Sequence, residues 1–456
     1  MVGCLIPWRA ALHRGLLGDT FWHLASGRWM LDHHRVLTHD ILSYTVTGHS
    51  WRTPEWGYDV VLAESVRVLG PSAYWLASAG LATLTVLAVA WRCRLMGAGW
   101  TWTGLLCLET GAAVTILLAV RPQMVSYLFV AVLLLVLSAA RRRAGWLWLV
   151  PVMFAAWANL HGSFLLGEEI LALEVVVSFL PARLGRVVVV DPLPRRHAVA
   201  TLGAAFAATL VNPFGPGVYS SALGVTFNST VRQLISEWQS PSFHDPAIVA
   251  VLLVPAAITV AYLAFGRGEL PALELALAAS MFFAALDAAR FIPYFAIAWC
   301  ALAARCSPIG KESLRPTLLV WPIAGVLGVA FLHGPIASAG ALDPGTPVAA
   351  VGYLQDHPGR ILSTYLWNDY LDLEGRRVFV DGRTELYTGN GILRRYLAVD
   401  HLTGDPDATL AAYRVDYVLW PKQDALAVFL AHDSNWRTVW SSSTAVVFHR
   451  APSAHG

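Results

Sequence analysis

The sequence has little charge and almost no lysine. Of its 456 residues, 14% are charged and 56% are hydrophobic, whereas soluble domains carry about 25% charged residues. This composition excludes an ordinary soluble domain and predicts a polytopic membrane protein. Lys311 and Lys422 are the only lysines, and the net charge of +2 gives no indication of nucleic-acid binding.

Several motifs of common enzymes and metal proteins are absent. The five cysteines are scattered, which argues against a structural zinc site and favours small core residues. There is no glycine-rich phosphate loop and no GxSxG elbow, so the sequence gives no sign of P-loop or α/β-hydrolase chemistry.

A long polar passage, residues 18–59, precedes the hydrophobic segments. It is rich in acids, histidines and tryptophans. Such a passage beside membrane helices is a plausible place for chemistry at a membrane surface. The alternative is an interfacial amphipathic segment whose tryptophans lie at headgroup depth.

The hydrophobic pattern predicts a mainly α protein, a polytopic transmembrane helix bundle of about ten spans with a small C-terminal α/β extracytoplasmic domain. Residues 1–343 form the predicted bundle, with a first outer loop at 18–70, and residues 344–456 form the α/β domain. An amphipathic helix is expected at 55–69. The predicted spans are 72–91, 100–120, 124–140, 145–160, 163–181, 198–211, 247–265, 271–289, 291–304 and 317–335.

Arginine placement predicts the orientation of the spans. Arg92, Arg141, Arg183, Arg267 and Arg305 lie at or near alternate connections, which assigns those connections to the cytoplasm. The first loop and the C-terminal domain are then outside, on the periplasmic or extracellular face of the bacterial plasma membrane. Residues 1–17 are too short and too charged to span, so the chain begins with an interfacial helix or lacks a first span.

Four polar residues of the first outer loop are candidates for catalysis. Asp19 could act as a general base for an acceptor hydroxyl, or as a ligand of a divalent cation that binds a phosphate leaving group. His23 follows four residues later, on the same helical face, where it could orient Asp19. Asp40 could complete a metal site and Glu55 could contact substrate. The alternatives are a solvated acid at a helix end and a structural histidine.

Polar residues at the predicted outer ends of the spans are candidates for substrate binding. Arg290 and Arg121 could bind a lipid phosphate, because a guanidinium at membrane depth needs an anion. The alternatives are a pair of Arg290 with Asp287, and a helix break at Pro122. Asn159 and His161 form a predicted outer turn that could line one cavity together with these arginines.

The C-terminal residues alternate between strand-like and helical patterns, which predicts an α/β domain. Strand-like runs occur at 361–364, 377–380, 416–420, 436–440 and 445–449, and helical patterns near 389–402, 405–413 and 423–432. Trp367 and Asp369 lie in an aromatic and acidic cluster. Asp381 and Arg383 follow a strand-like run, either in a functional loop or as an internal ion pair.

Several of these motifs resemble those of bacterial polytopic proteins assigned to the GT-C glycosyltransferase superfamily. They are Asp19-Thr20-Phe21-Trp22-His23, the run WANLHG at 157–162, Arg290-Phe291-Ile292-Pro293 and FVDGR at 379–383. The resemblance implies that Asp19 is the catalytic acidic residue of the first outer loop. The run at 367–370 is loosely similar to the WWDYG motif of oligosaccharyltransferases, which implies acceptor recognition. Asparagine replaces the second tryptophan, and Leu371 replaces the glycine.

The resemblance implies a membrane glycosyltransferase that moves a sugar from a polyprenyl-phosphate carrier to an envelope glycan, lipid or protein acceptor. The expected cofactor is a divalent cation, Mg²⁺ or Mn²⁺, because the carboxylates of Asp19 and Asp40 could bind it. The alternative is a non-catalytic membrane scaffold or lipid-linked-glycan binding protein. A transporter is disfavoured, because the charges gather on one predicted face and no inverted repeat is evident.

Overall fold

The computed structural model describes residues 2–16, 18–306 and 340–451, so the predicted span 317–335 lies outside the described residues. The described chain is mainly helical and divides into two compact units. Unit 1 comprises Met1–Arg14 and Pro71–Ala339, and unit 2 comprises Gly15–Gly70 and Gly340–Gly456. Residues 18–70, expected as a loop of the bundle, therefore group with the C-terminal residues.

Unit 1 is built from helices that pack around one hydrophobic core. A small three-stranded sheet, Arg183–Leu184, Val187–Val188 and Leu270–Pro271, lies between helices in the chain. The α-helices are Val2–His13, Ser72–Trp75, Leu81–Leu95, Trp100–Ile116, Gln123–Ala140, Leu149–Leu160, Phe164–Phe179, Arg195–Thr209, Gly217–Thr226, Ser229–Leu234, Pro246–Ile248, Val254–Phe265, Ala272–Asp287 and Ile292–Cys306. Leu76–Gly80 and Val249–Leu253 are π-helical, and Ala144–Trp148, Ser236–Trp238 and Ala289–Phe291 are 3₁₀ turns.

Three helices among the described residues are long and apolar enough to cross a membrane: Ser72–Leu95, Gln123–Ala140 and Pro246–Phe265. On the last of these, Ile258 and Phe265 are exposed, as expected for side chains that contact lipid. The other helices are shorter; Trp100–Ile116, for example, has 17 residues. The chain is therefore a membrane protein, and the number of ten spans stays a prediction.

The first helix, Val2–His13, packs closely against Trp100–Ile116. A Cβ atom on Gly3 would lie 2.2 Å from the Cys107 carbonyl oxygen, and one on Gly111 would lie 2.2 Å from the Gly3 carbonyl oxygen. The two backbones approach this closely because both glycines lack side chains. Trp8 Nε1 donates a hydrogen bond of 3.0 Å to Thr83 Oγ1.

Unit 2 combines a small sheet with short helices. The sheet has four strands in the order Ile361–Ser363, Tyr417–Pro421, Ala445–Arg450 and Trp436–Ser441. The first pair is parallel and the other two are antiparallel. The helices are Thr20–His33, Trp56–Leu69, Val348–Gln355, Tyr365–Leu373, Glu385–Thr388, Ile392–Asp400, Pro406–Ala412 and Ala425–His432.

Backbone hydrogen bonds join the two chain segments of unit 2. Leu16 N–H donates to Ala341 O at 2.9 Å, and Tyr44 N–H donates to Val378 O at 3.0 Å. Val378 also bridges to Ile361, so its run at 377–380 forms isolated bridges instead of the strand that was predicted there. Residues near the start of the chain are thereby fixed to the FVDGR run.

Candidate active site

Asp19 lies where the chain turns into helix Thr20–His33. Gly18 has a φ of +62°, a conformation that glycine adopts without steric penalty. The Asp19 carbonyl accepts the His23 N–H at 3.1 Å, but the Asp19 carboxylate makes no capping hydrogen bond to its own helix. The carboxylate is therefore not used as a helix cap.

The Asp19 carboxylate lies against Gly382, in the FVDGR run. A Cβ atom at Gly382 would lie 2.5 Å from Asp19 Oδ1 and 2.6 Å from Trp22 Nε1. Ordinary non-bonded contacts are about 3.5–4.0 Å, so only glycine fits here without displacing a neighbour. Glycine at 382 thus lets the carboxylate and the indole N–H share one small space.

Asp369 also contacts Gly382. Its helix, Tyr365–Leu373, begins at Thr364, whose hydroxyl accepts a hydrogen bond from Trp367 N–H at 3.4 Å. The helix packs on Thr20–His33 through the Phe21 and Tyr370 rings, which meet edge to face with their centroids 5.4 Å apart. Asp369 is fully buried, and its Oδ1 accepts the Gly382 N–H at 2.8 Å.

The second oxygen of Asp369, Oδ2, has no hydrogen-bond partner among the described residues. Burial raises the pKa of Asp369 well above its ordinary value, and the nearby carboxylates of Asp19 and Asp381 raise it further. Asp372, one helical turn later, is also buried with neither side-chain oxygen bonded within the described chain. Burial and Asp381 raise its pKa well above its usual range.

Arg383 forms a buried network with Asp40 and Asp381. Its Nε donates to Asp381 Oδ1 at 2.9 Å, and its Nη2 is 2.5 Å from both Asp381 Oδ2 and Asp40 Oδ1. The guanidinium lies over the Trp51 ring at 4.6 Å, and Tyr387 donates to Asp381 Oδ2 at 2.7 Å. Burial opposes the charge of Arg383, but the neighbouring carboxylates outweigh it and raise its pKa.

His23 is paired with a buried carboxyl. Its Nδ1 lies 2.6 Å from Asp59 Oδ1, and both side chains are buried. The imidazole stacks on the Trp22 ring at 3.6 Å. Burial raises the pKa of Asp59 well above its usual value, and Glu55 raises it further. The helices Thr20–His33 and Trp56–Leu69 meet at Gly27, where a Cβ would lie 2.0 Å from Asp59 O.

In unit 1, two arginines flank one glutamate. Arg121 Nη1 lies 2.9 Å from Glu237 Oε2, and Arg290 Nη1 lies 4.0 Å from Glu237 Oε1. The Arg290 guanidinium covers the Trp238 ring at 3.9 Å. Asp287, the alternative partner considered for Arg290, instead pairs with Arg232 at 2.6 Å.

The side chains of Asn159 and His161 form hydrogen bonds within unit 1. Asn159 Nδ2 donates to Ala155 O at 2.7 Å and to Val211 O at 2.8 Å. His161 Nδ1 lies 2.7 Å from Ser126 Oγ. The candidate residues thus form two groups, one in each unit. Their functional roles stay predictions.

Three residues important for this geometry were not singled out from the sequence. Gly382 carried no signal of its own, because its role depends on a residue far away in the chain. Asp372 follows Asp369 by three residues, and this helical spacing could have identified it as a neighbour on the same face. Asp59 lay in the polar passage, but its pairing with His23 depends on the crossing of two helices.

No protein-family model matches the chain, and no curated protein matches it. Solved structures of an oligosaccharyltransferase from Archaeoglobus fulgidus do resemble it. A complex with Zn and sulfate has a TM-score of 0.59 at 14% identity, over 98% of this chain and 72% of that chain. A complex of that enzyme, AglB, with an inhibitory peptide and a dolichol-phosphate has a TM-score of 0.59 at 11% identity, covering 99% and 74%. The apo form gives 0.60 at 10%, again covering 99% and 74%.

Because the sequence identities are only 10–14%, the structural similarity shows the fold alone. The chain has an oligosaccharyltransferase-like fold, in agreement with the GT-C-like architecture expected from the motifs.

Proposed function

We propose that the chain is a membrane glycosyltransferase. It transfers a sugar from a polyprenyl-phosphate-linked donor to an envelope glycan, lipid or protein acceptor at the outer face of the bacterial plasma membrane. The observation that carries the proposal is the position of the Asp19 carboxylate, which lies against Gly382, the residue whose N–H is bound by the buried Asp369. The oligosaccharyltransferase-like fold supports it.

Asp19 has two alternative roles in the transfer. As a general base it takes the proton of an acceptor hydroxyl, whose oxygen bonds to the anomeric carbon of the sugar. The bond from that carbon to the carrier phosphate breaks, and the phosphate leaves with the electron pair. Alternatively, Asp19 would hold a divalent cation, Mg²⁺ or Mn²⁺, which when bound would neutralise charge on the leaving phosphate. The unpartnered Oδ2 of buried Asp369 fits such a cation.

The neighbouring residues of unit 2 hold Asp19 in position. His23, bonded to Asp59 and stacked on Trp22, fixes the first turn of the helix that follows Asp19. The network of Asp40, Asp381 and Arg383 holds the loop that contains Gly382. These contacts support a positioning role for His23 and Arg383, since small displacements at a reacting group reduce the rate strongly.

In unit 1, we expect Arg121 and Arg290 to contact the phosphate of the lipid carrier. Arginine binds phosphate oxygens through paired N–H donors. One glutamate, Glu237, faces both guanidinium groups, so the three side chains carry a net positive charge. Asn159, His161, Glu55 and Trp367 keep their predicted substrate-binding roles as expectations for mutagenesis.

A turnover assay in nanodiscs tests the proposal. A panel of polyprenyl-phosphate sugars is offered, and release of carrier phosphate is followed by mass spectrometry. We expect release by the wild type and its loss in Asp19→Asn, while Asp32→Asn, an exposed acid on the same helix, behaves as wild type. If no donor of the panel gives release of carrier phosphate while a lipid-linked sugar still binds, the chain is a scaffold or lipid-glycan binding protein instead.

A further inference from the structure

An arginine cluster lies at one end of the helices of unit 1. Its three members are in the last turn of a helix or directly after it: Arg92, Arg141 and Arg305. Arg92 Nε donates a hydrogen bond of 3.3 Å to Ser138 Oγ, on the helix of the second arginine. Cys93 Sγ lies 3.8 Å from the Cys300 carbonyl oxygen, which joins the helices of the first and third arginines. The charges of the other two arginines both act on the Arg92 guanidinium.

Two buried glutamates neutralise two of the three arginines. Arg141 Nη2 lies 2.7 Å from Glu174 Oε2, and Arg305 Nε lies 2.9 Å from Glu274 Oε1. Each carboxylate therefore has its own guanidinium. With three arginines and two glutamates, the five side chains carry a net charge of one positive unit, and the arginine without a paired carboxylate is Arg92.

Arg92 is buried in spite of its unpaired charge. Its exposed fraction is 4%. Within the described residues its hydrogen bond goes to the neutral hydroxyl of Ser138, and its Nη1 has no partner. Nε of Arg141 is also unpaired there. Burying a charge is costly unless an opposite charge and hydrogen bonds compensate for it. We infer that an anion from outside the described residues completes the cluster.

The attraction between cations and helix C-termini does not explain the position of Arg92. That attraction accounts for arginines whose guanidinium groups bond to carbonyls near a helix end. Arg94 donates to Ala98 O in this way, and Arg142 donates to Leu95 O at 2.8 Å. Arg92 makes no such bond to a carbonyl in the described chain. Its donors are instead available to a ligand.

The surroundings of the arginine cluster indicate a membrane surface. Three exposed tryptophans lie in or beside the connections at this end of the helices: Trp91, Trp100 and Trp148. The Arg94 guanidinium covers the Trp100 ring at 4.2 Å. Tryptophan is enriched where membrane helices meet the lipid headgroups, and basic pockets between helices at that depth bind anionic headgroups. The anion nearest to such a cluster is the phosphate of a phospholipid.

We propose that the arginine cluster binds the phosphate of an anionic phospholipid, with Arg92 as its main contact. A guanidinium presents paired N–H donors that match phosphate oxygens. The site differs from Arg121 and Arg290, since Arg121 and Arg141 flank opposite ends of Gln123–Ala140. That helix has 18 residues, a length of about 27 Å. The inference does not depend on the transferase proposal.

The test is thermal unfolding of the full-length chain, delipidated in a neutral detergent, during titration with lipid. Phosphatidylglycerol is compared with phosphatidylcholine of the same acyl chains, and inorganic phosphate is titrated separately. A ligand that binds the folded chain raises Tm according to its concentration relative to Kd. We expect phosphatidylglycerol to act at an at least about ten-fold lower concentration, because the choline group would place a positive charge beside the arginines. Native mass spectrometry should show one retained phosphatidylglycerol per chain.

Arg92→Met should abolish the preference for phosphatidylglycerol, because it removes the unpaired guanidinium. We expect a loss of affinity of about ten-fold or more, as for a hydrogen bond to a charged group. Without lipid, this variant should unfold at the same temperature as the wild type or higher, since a buried unpaired charge is gone. Arg92→Gln removes the same charge with a polar side chain and serves as the second variant. Arg143→Met, at an exposed arginine of the same end, is the matched control and should keep the preference.

The outcomes distinguish a built site from general surface charge. A preference lost at Arg92 and kept in Arg143→Met supports the inference. Equal stabilisation by both lipids overturns it, and so does a preference that persists in a folded variant at position 92. An equal loss in Arg143→Met also overturns it, because any surface cation would then suffice. Stabilisation by inorganic phosphate that equals and displaces that of phosphatidylglycerol overturns the assignment to a lipid. The assay contains no sugar donor, so the transferase proposal stands or fails separately.

Discussion

Gly382→Ala tests whether the position of Asp19 controls the reaction. The added methyl group would lie 2.5 Å from Asp19 Oδ1 and 2.6 Å from Trp22 Nε1. Because van der Waals contacts between non-bonded atoms are about 3.5 Å or longer, the carboxylate or the indole must move by about 1 Å. Misplacement of a reacting group by that distance reduces the rate by about 100-fold.

We therefore expect Gly382→Ala to lower carrier-phosphate release by about 100-fold. The chain should remain folded, since the change adds one methyl group at the edge of a polar space. The assay is the nanodisc turnover measurement with the best donor of the panel, at saturating donor, so that the loss appears in kcat.

Gly389→Ala is the matched control. Gly389 lies in the same unit, has a negative φ of −72° and has nothing within 4 Å of its Cβ position, so alanine there should leave turnover unchanged. Wild-type turnover in folded Gly382→Ala would refute the reasoning, because it would mean that the location of the Asp19 carboxylate does not matter.

Three further substitutions probe the charges of the two units. Arg383→Met should destabilise the chain by about 3–5 kcal/mol, because it leaves buried carboxylates without their cation, as measured by denaturant unfolding followed by tryptophan fluorescence. Asp372→Asn should stabilise the metal-free chain near neutral pH by about 1–3 kcal/mol, because it removes a buried, unsatisfied carboxylate, as measured by thermal unfolding across pH. Glu237→Gln should tighten polyprenyl-phosphate binding about ten-fold, equivalent to ~1.4 kcal/mol, because it frees Arg121 and Arg290 from a competing anion; calorimetry measures this.

The pH dependence of the Asp372 prediction has a definite sign. Burial raises the pKa of Asp372 in the folded chain above the value of 3.8 for an exposed aspartate. The folded chain therefore holds a proton that the unfolded chain releases, so this group's contribution to stability is complete below pH 3.8 and is lost as pH rises. Asp372→Asn should flatten that decline, and an unchanged slope would contradict the burial argument.

Each of these substitutions has an exposed counterpart. Arg183→Met breaks an ion pair that is 60% exposed on both sides, so its effect should be below about 1 kcal/mol. Asp356→Asn should not alter the pH profile. Glu269→Gln removes the partner of Arg183 and should leave phosphate binding unchanged; equal tightening there would show a nonspecific charge effect.

Local sequence patterns predicted most of the secondary structure of unit 2. The amphipathic pattern at 55–69 became helix Trp56–Leu69. Four of the five strand-like runs formed strands, because alternating apolar residues suit a half-buried sheet. The exception, 377–380, has the right residues, but its Val378 divides its backbone contacts between Ser43 and Ile361. Such long-range competition is invisible in a local pattern.

The candidate site was only partly predictable for a related reason. The composition of residues 18–59 identified Asp19 and His23 as candidates, because acids and histidines are concentrated in that passage. Nothing in the sequence indicated that Asp59 would be the partner of His23, or that Asp369 would approach Gly382. Those contacts depend on how helices cross, and crossing positions are set by packing in three dimensions.

The discontinuity of unit 2 has a consequence for how the protein is made. Trp51 and Glu385 are hydrogen-bonded at 3.2 Å, yet they are separated by 334 positions in the chain. At about 5–20 residues per second, a ribosome needs roughly 20 to 70 s to synthesise the intervening residues. During that time the N-terminal segment of unit 2 has already been synthesised, while Trp51 and Asp40 still lack Glu385 and Arg383. Unit 2 can therefore complete its packing only after the C-terminal segment has been synthesised.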